Sequence, residues 1–184
     1  MKTYLMKFRI PISICYLAVC IAWIWFTKPV PDSTDPSAIE AAQIGFKAPY
    51  FNLPVLDAQE ISTTDLKGKA FILNFWASWC PPCKAEMPDF QHAFEEYSNS
   101  GIQIIAVNAT NQDSVVDVSL FVNQYGLTFP IILDQDGSAS RDYSVHSLPT
   151  TYFIDENGII KDIVIGGPIP LSLLRIQIDQ LIME

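Results

Sequence analysis

The sequence predicts an α/β domain with a mixed central sheet and helices on both faces, preceded by one transmembrane helix. Three observations support this fold class. Apolar runs of strand type alternate with amphipathic segments of helical period, an Asn-Gly turn separates two strand-like runs near the C-terminus, and a charge-free apolar segment follows a basic N-terminus. The chain has 184 residues, enough for one core of this kind and an N-terminal extension.

The composition excludes several classes of protein. Hydrophobic residues make up 49% of the chain and the formal net charge is −9. Such a hydrophobic content excludes disordered and collagen-like chains. A net negative charge argues against nucleic acid as a partner, because phosphate binding needs clustered Lys and Arg. The charge is also uneven, since all 20 acidic residues follow Lys28, whereas four of the 11 basic residues lie within the first 28 positions.

The N-terminal extension has the pattern of a membrane anchor. Residues 10–26 carry no charge, and their 17 positions are at the short end of the spans that cross a bilayer. We expect residues 1–9 to be a cytoplasmic lead, because they are basic, and residues 10–26 to be an uncleaved signal anchor. A cleaved signal peptide is the alternative. Residues 27–44 contain three prolines and read as a linker, which would place residues 45–184 outside the cytoplasm of a bacterial cell.

The elements of residues 45–184 follow from hydrophobic period and turn residues. The predicted strands are Tyr50–Asp57 and Glu60–Leu66 as an N-terminal β-hairpin, then Ala70–Trp76, Ile102–Ala109, Phe129–Asp134, Thr150–Asp155 and Ile160–Ile165. The predicted helices are Pro82–Ser98, Asp113–Tyr125, Ser138–Tyr143 and a last one through Leu171, Leu174, Ile178 and Leu181. In the second helix we expect Val116, Leu120 and Tyr125 to face the core.

The residues that can carry chemistry lie between the strand Ala70–Trp76 and the helix after it. Two cysteines three apart at a helix start, Cys80 and Cys83, can close a small disulfide ring, and the helix dipole favours a thiolate on the first. We predict that Cys80 attacks and that Cys83 resolves the mixed disulfide. A metal site completed by His92 or His146 is the alternative, although it would need four ligands. A structural disulfide is disfavoured, because so short a loop gains little from a cross-link.

Two longer runs carry a resemblance to a known family. The run FILNFWASWCPPCKAEMPDF, followed by SLPTTYFID, resembles the thioredoxin superfamily and, more narrowly, its TlpA/ResA-like membrane-anchored thiol-disulfide oxidoreductases. The similarity extends from about Gly45 to the C-terminus. It implies a thioredoxin-like fold with a helix-containing insertion at Asn108–Phe129, and a protein-disulfide reductase that uses no cofactor and no metal.

The resemblance also implies roles for residues around the cysteine pair. Pro149 matches a cis-proline beside the cysteines, and Leu148 and Thr150 flank it. The Leu148 backbone would then pair with an extended substrate peptide, as in strand addition. Trp79 matches the aromatic residue beside the active site. These four residues are therefore the expected substrate-binding positions.

One position departs from the thioredoxin pattern. Thioredoxins proper carry a buried aspartate where this chain has Asn74, which cannot exchange a proton. Glu86 follows Cys83 by three residues and so lies on the same helix face, and ResA-like proteins carry a glutamate there. We hypothesise that Glu86 is partly buried under the cysteines, has a raised pKa and shuttles the proton of Cys83. The alternative is an exposed helix glutamate.

The expected partners follow from the same resemblance. They are disulfide-bearing envelope proteins such as apocytochrome c, a transmembrane thiol electron donor, and the membrane itself. Pro81 and Pro82 have no N–H group to stabilise the Cys80 thiolate, which predicts a reductant rather than an oxidant. Two alternatives stay open: an anchored copper chaperone using Cys80, Cys83 and a histidine, and a peroxiredoxin-like peroxidase, which would be expected to carry a Thr-x-x-Cys motif.

Overall fold

The structure is a computed structural model that describes Trp23, residues 39–56 and residues 60–183. The chain divides into two units, Met1–Asp35 and Pro36–Glu184. Apart from Trp23, the predicted anchor at 10–26 lies outside the described residues. Among the described residues, no helix is both long enough and apolar enough to cross a membrane.

The described part of the second unit contains seven strands and four α-helices. The strands are β1 (Asn52–Pro54), β2 (Glu60–Ser62), β3 (Phe71–Trp76), β4 (Gln103–Asn108), β5 (Ile131–Leu133), β6 (Thr150–Ile154) and β7 (Ile160–Ile165). The helices are α1 (Pro81–Glu96), α2 (Val115–Tyr125), α3 (Ser138–Asp142) and α4 (Leu171–Met183). Every predicted strand and α-helix of residues 45–184 is present, but both strands of the N-terminal hairpin are shorter than expected. Residues Thr63–Leu66, predicted as the end of the second strand, form a 3₁₀ helix instead.

Five of these strands form a mixed sheet with β3 at its centre. The order is β5-β4-β3-β6-β7, in which β3, β4 and β5 run parallel while β6 and β7 are antiparallel to their neighbours. The first two strands form a separate antiparallel hairpin, which touches the sheet where Val55 pairs with Ile132. The carboxyl end of β3 leads directly into α1, so this central strand fixes where the cysteines lie.

Helices cover both faces of this sheet. Side chains alternate along β3, so that Ile72 and Trp76 pack into one buried cluster and Leu73 and Phe75 into the other. The first cluster includes residues of α1, α2 and α4, and the second includes α3 and the segment before β1. The predicted thioredoxin-like fold is confirmed in this part of the chain.

The predicted inner face of α2 is wrong for two of its three residues, since only Tyr125 packs against the core, where it is partly buried. Val116 and Leu120 are 66% and 63% exposed, whereas Val118, Phe121 and Val122 are buried. The helix has two candidate apolar stripes, and the stripe that contains Phe121 covers the sheet. The Phe121 ring lies 4.9 Å from that of Trp76, measured between centroids, and this contact decides which way α2 faces because aromatic side chains bury the most area.

Candidate active site

The two cysteines form a disulfide at the first turn of α1. Cys80 is the N-cap residue, and the Cα atoms of Cys80 and Cys83 are 5.3 Å apart. Pro81 and Pro82 occupy the first two helical positions, where the missing N–H groups leave no intrahelical bond unmade. The N–H of Cys83 is therefore the first one available, and it donates to Cys80 Sγ at 3.4 Å.

Solvent reaches this disulfide only beside Cys80. Cys80 is 2% exposed and Cys83 is fully buried, while the neighbouring Trp79 is 52% exposed. A pocket of about 290 Å³ opens against Cys80, and its walls include Trp79, His146 and Leu148. An attacking or leaving sulfur can therefore approach Cys80 from this pocket but cannot reach Cys83.

The loop before the cysteines is held by Asp113, which sequence reasoning did not single out. The backbone N–H and the hydroxyl of Ser78 donate to the Asp113 carboxylate at 2.6 and 2.7 Å, and Asn108 Nδ2 donates to it at 2.9 Å. Desolvation opposes the charge, but these bonds and one from the Ser114 N–H outweigh it and hold the pKa of Asp113 below its usual value. Trp79 is fixed to the same segment, since its Nε1 donates to the Gln112 carbonyl at 2.9 Å.

The loop before β6 lies on the other side of the pocket. The Leu148–Pro149 peptide bond is cis, as the resemblance implies. Leu148 is half-buried and lines the pocket. Thr150 is 3% exposed, and its hydroxyl donates to the Ser147 carbonyl at 2.8 Å, so its side chain shapes the loop from within.

Glu86 is buried one turn after Cys83. Its side chain is inaccessible to solvent, and each carboxylate oxygen accepts one hydrogen bond: Oε1 from Asn74 Nδ2 at 2.8 Å and Oε2 from the Ile169 N–H at 3.0 Å. Desolvation raises the pKa of Glu86 to about 7, against the lowering effect of these two bonds. An exposed, solubilising role for Glu86 is therefore excluded.

Asn74 connects Glu86 to the sheet. Its Nδ2 also donates to Thr151 Oγ1 at 3.0 Å, and its Oδ1 is buried without a hydrogen-bond partner among the described residues. The sequence pointed to Asn74 only as the place where a thioredoxin aspartate is missing. In the folded chain the Asn74 side chain donates a hydrogen bond to Glu86.

Comparison with known proteins places this fold and site in a family. A family model described as the AhpC/TSA family matches residues 44–163. The chain belongs to this family. It is 43% identical over 139 residues to a protein named thiol-disulfide oxidoreductase ResA from Oceanobacillus iheyensis, covering 73% of this chain and 70% of that protein. It is 45% identical over 125 residues to the thioredoxin-like protein YneN from Bacillus subtilis, covering 67% and 72% of the two chains.

A solved structure agrees with these relatives. The crystal structure of StoA from Bacillus subtilis matches with a TM-score of 0.63 and 34% identity, covering 71% of this chain and 96% of that one. This AhpC/TSA family member is thus a thiol-disulfide oxidoreductase, and the predicted class of enzyme is confirmed.

The histidines of this AhpC/TSA protein lie in different places. His146 is exposed and lines the pocket with Cys80, whereas His92 lies further along α1. Within residues 39–56 and 60–183, no three His, Cys, Asp or Glu side chains are grouped as a metal site.

Proposed function

We propose that this thiol-disulfide oxidoreductase reduces disulfides in cell-envelope proteins, apocytochrome c among them, on the outer side of a bacterial membrane. The proposal includes residues 10–26 as the anchor and a transmembrane thiol carrier as the electron donor. The observation that carries it is the Cys80–Cys83 pair, in which Cys80 borders a pocket and Cys83 is fully buried. The similarity to proteins named ResA supports the choice of reaction.

The proposed reaction transfers two electrons from the reduced cysteine pair to the substrate. The Cys80 thiolate attacks one sulfur of the substrate disulfide, that S–S bond breaks, and the other substrate sulfur leaves as a thiolate that takes up a proton. The Cys83 thiol then loses its proton and attacks Cys80 Sγ, and the substrate's second sulfur leaves and is protonated. The substrate ends as a dithiol and the protein as the Cys80–Cys83 disulfide, which the donor dithiol reduces again.

Glu86 is the proposed acceptor of the Cys83 proton. Its pKa of about 7 lets it both take and release a proton near neutrality, which is the condition for efficient general acid–base catalysis. The unpaired Oδ1 of Asn74 supports this role. After rotation of its amide group, Asn74 can accept a hydrogen bond from protonated Glu86, as its Nδ2 donates to the charged form.

The proposed direction of the reaction rests on the first turn of α1. Among the first three helical residues only Cys83 offers an N–H to Cys80 Sγ, because Pro81 and Pro82 have none. A thiolate with fewer donors is less stabilised, and the disulfide form is then harder to reduce. We expect a midpoint near the thioredoxin value of about −270 mV in a glutathione or dithiothreitol buffer, and a value above about −180 mV would contradict a reducing role.

A trapping experiment tests the substrate class. In Cys83→Ser, Cys80 still attacks but the mixed disulfide cannot be resolved, so we expect envelope proteins to be captured through Cys80 as disulfide-linked adducts. Cys80→Ser is the matched control, since it lacks the attacking sulfur and should capture nothing. Adducts formed only with cytoplasmic proteins would refute the proposed location. Tight copper binding by the reduced protein with no thiol exchange would favour the chaperone alternative.

A further inference from the structure

The segment that joins β7 to α4 crosses α1 directly over the buried glutamate. We call Gly167–Leu171, which ends on the first residue of α4, the crossing segment. Two of its five residues are prolines and lack an N–H group. The N–H groups of Ile169 and Leu171 both donate to α1 carboxylates, Ile169 to Glu86 Oε2 at 3.0 Å and Leu171 to Asp89 Oδ2 at 3.1 Å. The segment is therefore attached to the helix that carries the cysteines.

Gly167 allows this segment to approach the glutamate closely. A Cβ atom on Gly167 would lie 2.5 Å from Glu86 Oε2 and 2.6 Å from Pro149 Cγ, closer than real Cβ contacts. The adjacent Gly166 has a φ of +89°, in the region that favours glycine, whereas Gly167 lies outside that region. A side chain at position 167 would therefore displace the Glu86 carboxylate or the Pro149 ring, whereas the backbone conformation there is open to other residues.

We propose that the crossing segment is a positioning element for Glu86. Gly167 leaves room for both the Glu86 carboxylate and the Pro149 ring, and Ile169 supplies one of the two hydrogen bonds to that carboxylate. This inference rests on the proposed proton-transfer role of Glu86 and adds Gly167 and Ile169 to the residues on which that role depends. Neither residue touches a reacting sulfur, so both are positioning residues.

The surroundings of Glu86 make this contact measurable. Its hydrogen-bond donors are Asn74 of β3, which also donates to Thr151 of β6, and the Ile169 N–H of the crossing segment. Cys83 and Asp89 lie three residues before and after Glu86 on the same helix and so share its face. Burial and the bonds from Ile169 and Asn74 account for its proton affinity, with no charged side chain among the causes. Loss of one bond should therefore be visible as a change in titration.

The test is a titration of Glu86 in the full-length oxidised protein, followed by NMR of the carboxyl ¹³C signal. Glu86→Gln assigns the signal. In Gly167→Ala the carboxylate is pushed away from the Ile169 N–H while it stays buried, so we expect its midpoint to rise by about one pH unit. The pH profile of thiol exchange should move in the same direction. Leu181→Ala is the control, because it removes buried contacts of α4 without touching the crossing segment, and its Glu86 midpoint should match wild type.

A second measurement needs no change at the crossing segment. In the wild-type protein the Ile169 amide proton should shift with the Glu86 midpoint, and in Glu86→Gln this shift should vanish. The proposal would be overturned if the chemical shift of the Ile169 amide proton did not change at the Glu86 midpoint. An unchanged Glu86 midpoint in folded Gly167→Ala would overturn it as well. Its failure is distinguishable from that of the proton-transfer role, because the latter is refuted separately if Glu86→Gln leaves the pH profile of thiol exchange unchanged.

Discussion

The Glu86 side chain combines complete burial with two hydrogen bonds to its charged form. Burial alone would raise the pKa of a carboxyl group, and the bonds from Asn74 and Ile169 limit the rise to about 7. The folded state therefore binds this proton more tightly than the unfolded chain does, so protein stability must depend on pH through this one residue.

We predict that oxidised wild-type protein loses stability between pH 4.5 and 7 because of Glu86. When the pKa of a carboxyl group rises on folding, its protonated form stabilises the folded protein, and this contribution is complete below the unfolded pKa of 4.5. The contribution is lost as the pH rises through the folded pKa of about 7. The loss from this group is about 3 kcal/mol. Urea unfolding at pH 4.5, 6 and 7.5 should show it in wild type and not in Glu86→Gln, and equal losses in both proteins would contradict the assignment.

At the scale of single residues, the sequence predicted which residues form the site better than it predicted the contacts between them. Cys80 and Cys83 were found because their chemistry requires a fixed spacing at a helix start. Glu86 was found because it follows by one turn and because ResA-like proteins, which the chain resembles, carry a glutamate there. The hydrogen bond between Asn74 and Glu86 joins a strand to a helix, and this pairing cannot be predicted from either residue type. The sequence could not predict the Ile169 N–H as a donor to Glu86, since every residue except proline has the same backbone N–H.

At the scale of elements, α2 shows how a helix with two apolar stripes is oriented. Phe121 is 6% exposed and its ring packs at a tilt against that of Trp76, whereas Leu120 next to it is 63% exposed. The helical period finds both stripes, but it carries no information on which one has a complementary surface. The contact between Phe121 and the Trp76 ring of β3 decides which stripe faces the core.

A pair of adjacent substitutions tests this orientation of α2. We expect Phe121→Ala to lower the free energy of unfolding by about 3 kcal/mol, because it leaves a cavity against Trp76. Leu120→Ala should change it by less than about 0.5 kcal/mol, since that side chain is mostly in solvent. Chemical denaturation of both variants measures the difference, and a larger loss from Leu120→Ala would mean that the helix faces the other way.

Asp113, just before α2, connects the start of this helix to the loop that precedes the cysteines. We expect Asp113→Ala to cost about 2 kcal/mol, because the Ser78 and Asn108 donors lose a charged acceptor. Its pKa is lowered on folding, so the cost should be present above the usual value of 3.8 and should shrink as the pH falls below it. The exposed carboxylate of Asp117 on α2 provides the control, and Asp117→Ala should have a smaller effect at every pH. Equal effects in urea titrations would exclude the anchoring role.

At the scale of the whole molecule, the sequence was sufficient for the fold of residues 45–184. Apolar runs and turn residues located every strand and α-helix but not the 3₁₀ helices, and the order of strands and helices led to the mixed sheet. The two faces of that sheet, the position of the crossing segment and the contact between Val55 and Ile132 depend on packing between distant parts of the chain. A linear pattern does not contain such pairings. The predicted anchor at 10–26 stays a prediction.

The charge distribution of the chain gives a prediction at the same scale. After Lys28 the chain carries 20 acidic and seven basic residues. If this excess steers partners, reduction of a disulfide-linked peptide of basic composition should slow as salt is raised, because screening shortens the range of attraction. An acidic peptide with the same cysteines is the control and should not slow. Rates that are independent of salt for both peptides would rule out steering.

The fixed Trp79 ring has a practical consequence. Its indole N–H is bonded to the Gln112 carbonyl, half of its surface is in solvent, and its neighbour in the chain is the reactive Cys80. A disulfide quenches indole fluorescence at short range by accepting an electron from the excited state, which a pair of thiols does far less efficiently. Trp79 is therefore an intrinsic optical sensor of the redox state, and stopped-flow emission can follow each turnover of the unlabelled protein, with Trp79→Phe supplying the background from the other tryptophans.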